Sequence, residues 1–170
     1  MGRSPRYSSS EPRALHGLDA WARALSVAAL VMVADQVTKQ LVVNHIAHRE
    51  HVELIFGFEI SNVRNSGIAF GLLEGSSDAL VLTLTLGALA LLVGYFGAHA
   101  RRPELWLPVG LVVGGALGNL ADRVRIGAAI DFLDPPLWPA FNVADIAIVA
   151  GVGLFVAMLL AADGNDAAQP

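Results

Sequence analysis

The residues able to do chemistry in this chain are acids and amides set among apolar neighbours, where each one is costly. Asp145 and Asn142 stand near the start of an otherwise apolar run at 141–162; Asp35 and Lys39 interrupt the second half of another at 21–43. Asn119 and Arg123 close a third, and Asp131 and Asp134 follow it in a proline-rich stretch. A charged side chain at the middle of a membrane-spanning helix costs about 2.5 to 3.5 kcal/mol on insertion scales, so each needs a partner or a function. Positions three and four apart share a helix face. Asp35 with Lys39, Asn119 with Arg123 and Asn142 with Asp145 therefore give three segments one polar face each. Two neighbouring carboxylates could hydrolyse an amide: one takes a proton from water while the other gives a proton to the carbonyl oxygen or the departing nitrogen. Like charges in a poorly hydrated site cannot both ionise, so such a pair shares one proton. The alternative is that these residues pair only to hold helices together. For Asp35 and Lys39 this pairing is favoured, with a salt bridge or headgroup contact standing about level with substrate contact.

Other chemistries find little support. The chain has no cysteine, which removes a thiolate nucleophile, a disulfide framework and a cysteine zinc site together. Neither H-E-x-x-H nor G-x-S-x-G occurs, which disfavours a zinc protease and the serine nucleophile elbow. His45, His48 and His51 recur every third residue, but their segment does not read as a helix, so they are taken as solvated or headgroup-facing. Neither a metal nor a cofactor is expected. A net charge of -4 without a Lys/Arg run gives no reason to expect nucleic acid.

The elements that must position these groups follow from hydropathy. The chain is 55% hydrophobic and 15% charged over 170 residues, with a mean hydropathy of +0.57, too apolar for an ordinary soluble domain. At roughly 20 apolar residues per crossing, it has room for four spans, placed at about 20–43, 79–100, 105–124 and 141–162. A cleaved signal peptide is the rival reading of the first, although Met32 is not the small residue a cleavage site wants. Gly110, Gly114 and Gly118 recur every fourth residue in the third, a spacing that lets helices approach closely in lipid. Residues 1–19 read as a disordered tail and 163–170 as a second loose tail. Residues 50–75, with β-branched segments and glycine punctuation, read as a small strand-and-turn element. Residues 126–140 hold three prolines and cannot be helical throughout. Trp21, Trp106 and Trp138 read as interfacial anchors. The expected fold is thus an all-α membrane protein, a four-helix bundle with a small β element between its first two helices.

Orientation follows from counting Lys and Arg beside each span. Arg3, Arg6, Arg13 and Arg23 in the N-terminal segment and the arginines at 101–102 put both termini in the cytoplasm. Asp35, Asn119, Arg123, Asp131, Asn142 and Asp145 then converge toward the outer face, where Arg49, Arg64, Arg123 and Arg125 run mildly against the rule.

The stretches DQVTK (35–39), VRNSGIAFG (63–71), GGALGNLADR (114–123), IDF (130–132) and FNVAD (141–145) resemble, in order and spacing, the blocks of the lipoprotein signal peptidases, the signal peptidase II family. They span about two-thirds of the chain, and GNLADR followed by IDF and FNVAD is the specific part. The resemblance implies an aspartic endopeptidase of the bacterial inner membrane, cutting lipid-modified prolipoproteins before the diacylglyceryl cysteine. It also implies that Asp131 and Asp145 are the catalytic pair, with Asp35, Lys39, Asn65, Gly67, Asn119, Arg123 and Asn142 as substrate-binding or supporting residues. Only the resemblance selects Asp131 over Asp134 or Asp122, and Asp122 reads as structural. Arg123 either binds a carbonyl or phosphate-like group, orients an Asp, or caps its helix. Membrane lipids are expected partners and a monomer the expected state. The functions from other classes are a small proton-relaying transporter, for which no internal repeat is found, and a non-enzymatic assembly factor.

Overall fold

The computed structural model describes residues 11–66, 78–99 and 102–166. Four helices carry the fold: α1 (Glu11–His45), α2 (Asp78–Ala98), α3 (Trp106–Ile126) and α4 (Val143–Asp166). Three strands, β1 (His51–Glu53), β2 (Glu59–Asn65) and β3 (Ala129–Asp134), form one antiparallel sheet in the order β1-β2-β3. A 3₁₀ turn at Pro103–Leu105 leads into α3. α3 is the central helix, packed mainly against α1 and α4 and less against α2.

The helices are turned inside out relative to a water-soluble bundle. Along α1 the buried positions are Ala20, Ala24, Ala28, Asp35, Lys39 and Val42, a single stripe at helical spacing, while Leu25, Leu30, Val33, Val37 and Leu41 are exposed. On α4, Val152, Val156 and Leu160 are likewise exposed. Large apolar side chains outside and small or polar ones inside suit a lipid exterior. Gly17–His45 and Val143–Ala161 are long and apolar enough to cross a membrane, and Leu82–Ala98 is a shorter apolar helix. The C-terminal half of α3 carries Asn119, Asp122, Arg123 and Arg125, too many polar groups for it to match them in hydropathy.

Glycine lets α3 sit centrally. A Cβ at Gly114 would lie 2.6 Å from the Ala28 carbonyl oxygen of α1, and one at Gly115, on the next face, would collide with the Ala144 carbonyl oxygen of α4. One helix is thereby in backbone contact with two neighbours, as the small-residue spacing predicts.

Two expectations change. Residues 11–19, read as part of a disordered tail, belong to α1, where Ala14, Leu15 and Leu18 are good helix formers; residues 1–10 lie outside the described set. Residues 129–134, read as part of an irregular loop, form β3. It pairs with β2 through Val63↔Asp131, Arg64↔Ile130 and Asn65↔Ala129, with a register shift between Ile60 and Val63. The small sheet therefore joins the α1–α2 connection to the α3–α4 connection. Phe132 of β3 packs with Val42 of α1 and with Ile46 just beyond its end, fixing the sheet against the helices.

Candidate active site

The polar side chains at the sheet end of the helices form one connected network. At its base Lys39 is 1% exposed, and Asp35 and Asp122 are fully buried. Three charges in that setting must be satisfied in detail. The Lys39 ammonium donates to Asp35 Oδ2 at 2.8 Å, to Asp122 Oδ2 at 2.7 Å and to Asn119 Oδ1 at 2.8 Å, matching its three protons to three acceptors. Arg125 adds a second cation on Asp122, at 2.7 Å. Gln36, which the sequence did not single out, bridges Asp122 Oδ1 and the Gly118 carbonyl oxygen, each at 3.1 Å. Asp35 also reaches a third helix. Its Oδ1 accepts the backbone N–H of Ala144 at 2.9 Å, so a carboxylate of α1 satisfies a donor at the buried N-terminus of α4.

The start of α4 is closed by its own sequence as well. Asn142 Oδ1 accepts the N–H of Asp145 at 2.9 Å, and Asp145 Oδ2 accepts the N–H of Asn142 at 3.2 Å. This is a capping box with Asn and Asp in place of the usual Ser/Thr and Glu. It holds one oxygen of Asp145; the other accepts from Asn119 Nδ2 at 2.8 Å. Asn119 thus joins Lys39 on one side to Asp145 on the other.

Asp131 approaches from the sheet. Its Oδ1 accepts from Asn142 Nδ2 at 2.7 Å and its Oδ2 from Asn65 Nδ2 of β2 at 2.9 Å. Asn142 therefore touches both carboxylates, Asp131 through its amide nitrogen and Asp145 through its backbone. Burial pushes the Asp131 carboxyl up to about 6 from its ordinary 3.8; the negative charge of Asp145 adds to the rise, while the hydrogen bonds from Asn65 and Asn142 and the Lys39 charge oppose it. A carboxyl poised there can serve as acid or base near neutrality.

Asp131 and Asp145 both line a cavity of about 630 Å³. Its polar end adds Asn65, Asn119 and Arg123, and its apolar walls come from Ala116, Ile146, Ile148, Val149, Trp138 and Phe141. A polar end continuing into an apolar cleft suits an amphipathic ligand. Of the residues expected at the site, Asp131, Asp145, Asn65, Asn119 and Arg123 line this cavity, whereas Asp35 and Lys39 are buried in the network behind it. Asn142 links the two, and Gly67 lies outside the described residues. Arg123 also donates to the Asn119 carbonyl oxygen at 3.4 Å, so it meets its own helix end as well as the cavity. Trp138, read as a membrane anchor, and Thr85 of α2 line the cleft too; nothing in local sequence spacing marks either as a lining residue. Asp134 and Asp122 do not line it.

Comparison with known proteins agrees with the geometry. The family model for signal peptidase (SPase) II matches residues 27–161. A lipoprotein signal peptidase of Moorella thermoacetica is 40% identical over 86% of this chain and 98% of its own length. One from Nitratidesulfovibrio vulgaris is 46% identical over 79% and 87%. A solved structure described as a bacterial membrane enzyme, determined in meso at 2.3 Å resolution, superposes with a TM-score of 0.78 at 31% identity, covering 86% of this chain and 93% of that one. A second such enzyme structure, at 1.9 Å resolution, gives 0.71 at 32% identity over 81% and 92%. The matched stretch takes in the buried network, the capping box and both cavity-lining carboxylates, and the chain belongs to the signal peptidase II family of aspartic peptidases.

Proposed function

We propose that Asp131 and Asp145 are the catalytic pair of a membrane endopeptidase that cuts lipid-modified prolipoproteins before the diacylglyceryl cysteine. The observation that carries this reading is Asn142, which holds both carboxylates at the polar end of a largely apolar cleft. One carboxylate, ionised, takes a proton from a water molecule as it attacks the scissile carbonyl carbon. The other, protonated, hydrogen-bonds the carbonyl oxygen and then supplies the proton that lets the amine leave as the C–N bond breaks. The two titrate as a coupled pair. Asn65, Asn119 and Asn142 orient them, and Arg123 lines the same end of the cavity as a donor for a carbonyl oxygen or anionic group. The apolar walls receive the acyl chains or the apolar signal segment of the substrate.

In this reading α1 to α4 each cross the bacterial inner membrane, with both termini cytoplasmic and the sheet and carboxylates toward the outer face. The protein works as a monomer in contact with membrane lipids. The transporter and assembly-factor readings lose ground to membership of a peptidase family.

Cleavage of a lipid-modified prolipoprotein by purified wild type, Asp131→Asn and Asp145→Asn tests the assignment. Both variants should retain the wild-type thermal midpoint within a few degrees and lose cleavage. Normal turnover by either folded variant would overturn it. A reporter fused after Pro170 should read as cytoplasmic, and an external reporter would overturn the topology.

A further inference from the structure

The outer sheet carries a second cluster of functional side chains, away from the cleft. Strands β1 and β2 pair His51 with Ser61 and Glu53 with Glu59. Directly paired residues share a face, as do residues two apart on one strand, so these four form a two-by-two patch on one side of the sheet. A ligand atom from each of His51, Glu53 and Glu59 lies within 4.8 Å of the other two. Small side-chain rotations bring such a spread onto a single ion with bonds of about 2.0 to 2.2 Å.

Two further observations separate this patch from an ordinary solvated surface. Ser61 is 4% exposed, and among the described residues its Oγ has no hydrogen-bond partner, although buried hydroxyls are rarely left unpaired. The strand register turns that side chain to the face occupied by His51. In addition, Glu59 stands directly opposite Glu53 on one side and Asp134 of β3 on the other. Among the described residues no salt bridge reaches any of these three acids. Like charges directly opposite one another weaken a sheet, and a bound dication would reverse that repulsion.

We propose that His51, Glu53 and Glu59 bind a divalent first-row transition cation of the zinc type, with the Ser61 hydroxyl as a fourth oxygen ligand or as a partner of a metal-bound water. One imidazole and two carboxylates suit such an ion, whereas Mg²⁺ and Ca²⁺ favour all-oxygen sites. The role is structural. None of these residues lines the cleft that holds Asp131 and Asp145, and the ion braces β1, an edge strand of three residues, against the strand that carries Asn65.

The test needs no substrate, so its outcome is independent of the peptidase assignment. Full-length protein in detergent, stripped with a chelator and dialysed, is titrated with Zn²⁺ by calorimetry while its thermal midpoint is followed. One ion per chain should bind and the midpoint should rise, with no response to Mg²⁺ at the same concentration. His51→Ala and Glu59→Gln should each weaken binding at least tenfold, and Ser61→Ala about tenfold, as loss of a supporting partner does. The double variant E53Q/E59Q should raise the midpoint of the ion-free protein and abolish the response to Zn²⁺. Absence of stoichiometric binding by wild type, or unchanged affinity in both His51→Ala and Glu59→Gln, would overturn the proposal.

Discussion

Asn142 and Asp145 hold each other through two reciprocal side-chain to backbone hydrogen bonds, of 2.9 and 3.2 Å, that close the first turn of α4. The same pair puts Asp145 in the cavity and lets the Asn142 amide nitrogen reach Asp131. Helix capping and site assembly are therefore one set of bonds.

Replacing Asn142 by Ala should harm both. Loss of a helix cap costs about 1 kcal/mol, so the thermal midpoint should drop by a few degrees. Cleavage should fall far more, about a hundredfold or beyond, because removing one orienting group displaces both carboxylates at once. A prolipoprotein cleavage assay beside a melting curve separates the two effects. Equal, small losses in both would mean that Asn142 acts only as a cap.

Lys39→Met should cripple folding rather than catalysis alone. It leaves Asp35 and Asp122 fully buried without their shared cation, and breaking a buried ion pair from one side costs about 3 to 5 kcal/mol. The triple variant K39M/D35N/D122N should recover part of the lost thermal midpoint, since it removes the charges together. Its failure to recover any would locate the role of Lys39 elsewhere.

Asp131 makes stability depend on pH with a definite sign. Its folded-state pKa, about 6, lies above the ordinary 3.8, so between those values the folded protein holds more proton than the unfolded chain. The stabilisation from that proton is complete below about 4 and is lost as pH rises through 6. Thermal midpoints taken from pH 4 to 7 should show a downward component that Asp131→Asn abolishes. Because the Asn65 hydrogen bond lowers this pKa, Asn65→Ala should move the corresponding limb of the pH–rate profile upward. A limb that stays in place would separate Asn65 from the titration.

Gly115→Ala should be far more damaging than Gly87→Ala. A methyl at Gly115 meets the backbone of α4, whereas nothing lies within 4 Å of one at Gly87 on α2. Overpacking typically costs about 1 to 3 kcal/mol, while alanine in an open helix position is mildly favourable. Melting curves of the two variants should bracket the wild type.

Much of this architecture is legible in the order of residues, and the exceptions share a cause. The apolar runs locate α2 and α4, and the glycine spacing of α3 signals a close helix contact, because both depend on local periodicity. Asp145 declares itself as an acid inside an apolar run. The ion pair of Asp35 with Lys39 follows from i, i+4 geometry. β3 does not show itself, because it is defined by pairing with a strand more than sixty residues earlier, and its neighbouring prolines suggest a loop. Asp131 therefore reads as one of several loop acids until the family blocks single it out. The parts played by Gln36, Thr85 and Trp138 go unnoticed for the same reason: each owes its place to tertiary contacts across separate elements.

The bond from the Ala144 backbone N–H to Asp35 also sets an order on biogenesis. The acceptor lies in α1 and the donor in α4, 109 positions later in the chain. Until α4 is made, Asp35 lacks this partner and Asp145 has not arrived, so a chain halted before α4 carries neither a closed bundle nor the Asp131–Asp145 pair. With Asp131 and Asp145 as the proposed catalytic pair, cleavage has to wait for α4.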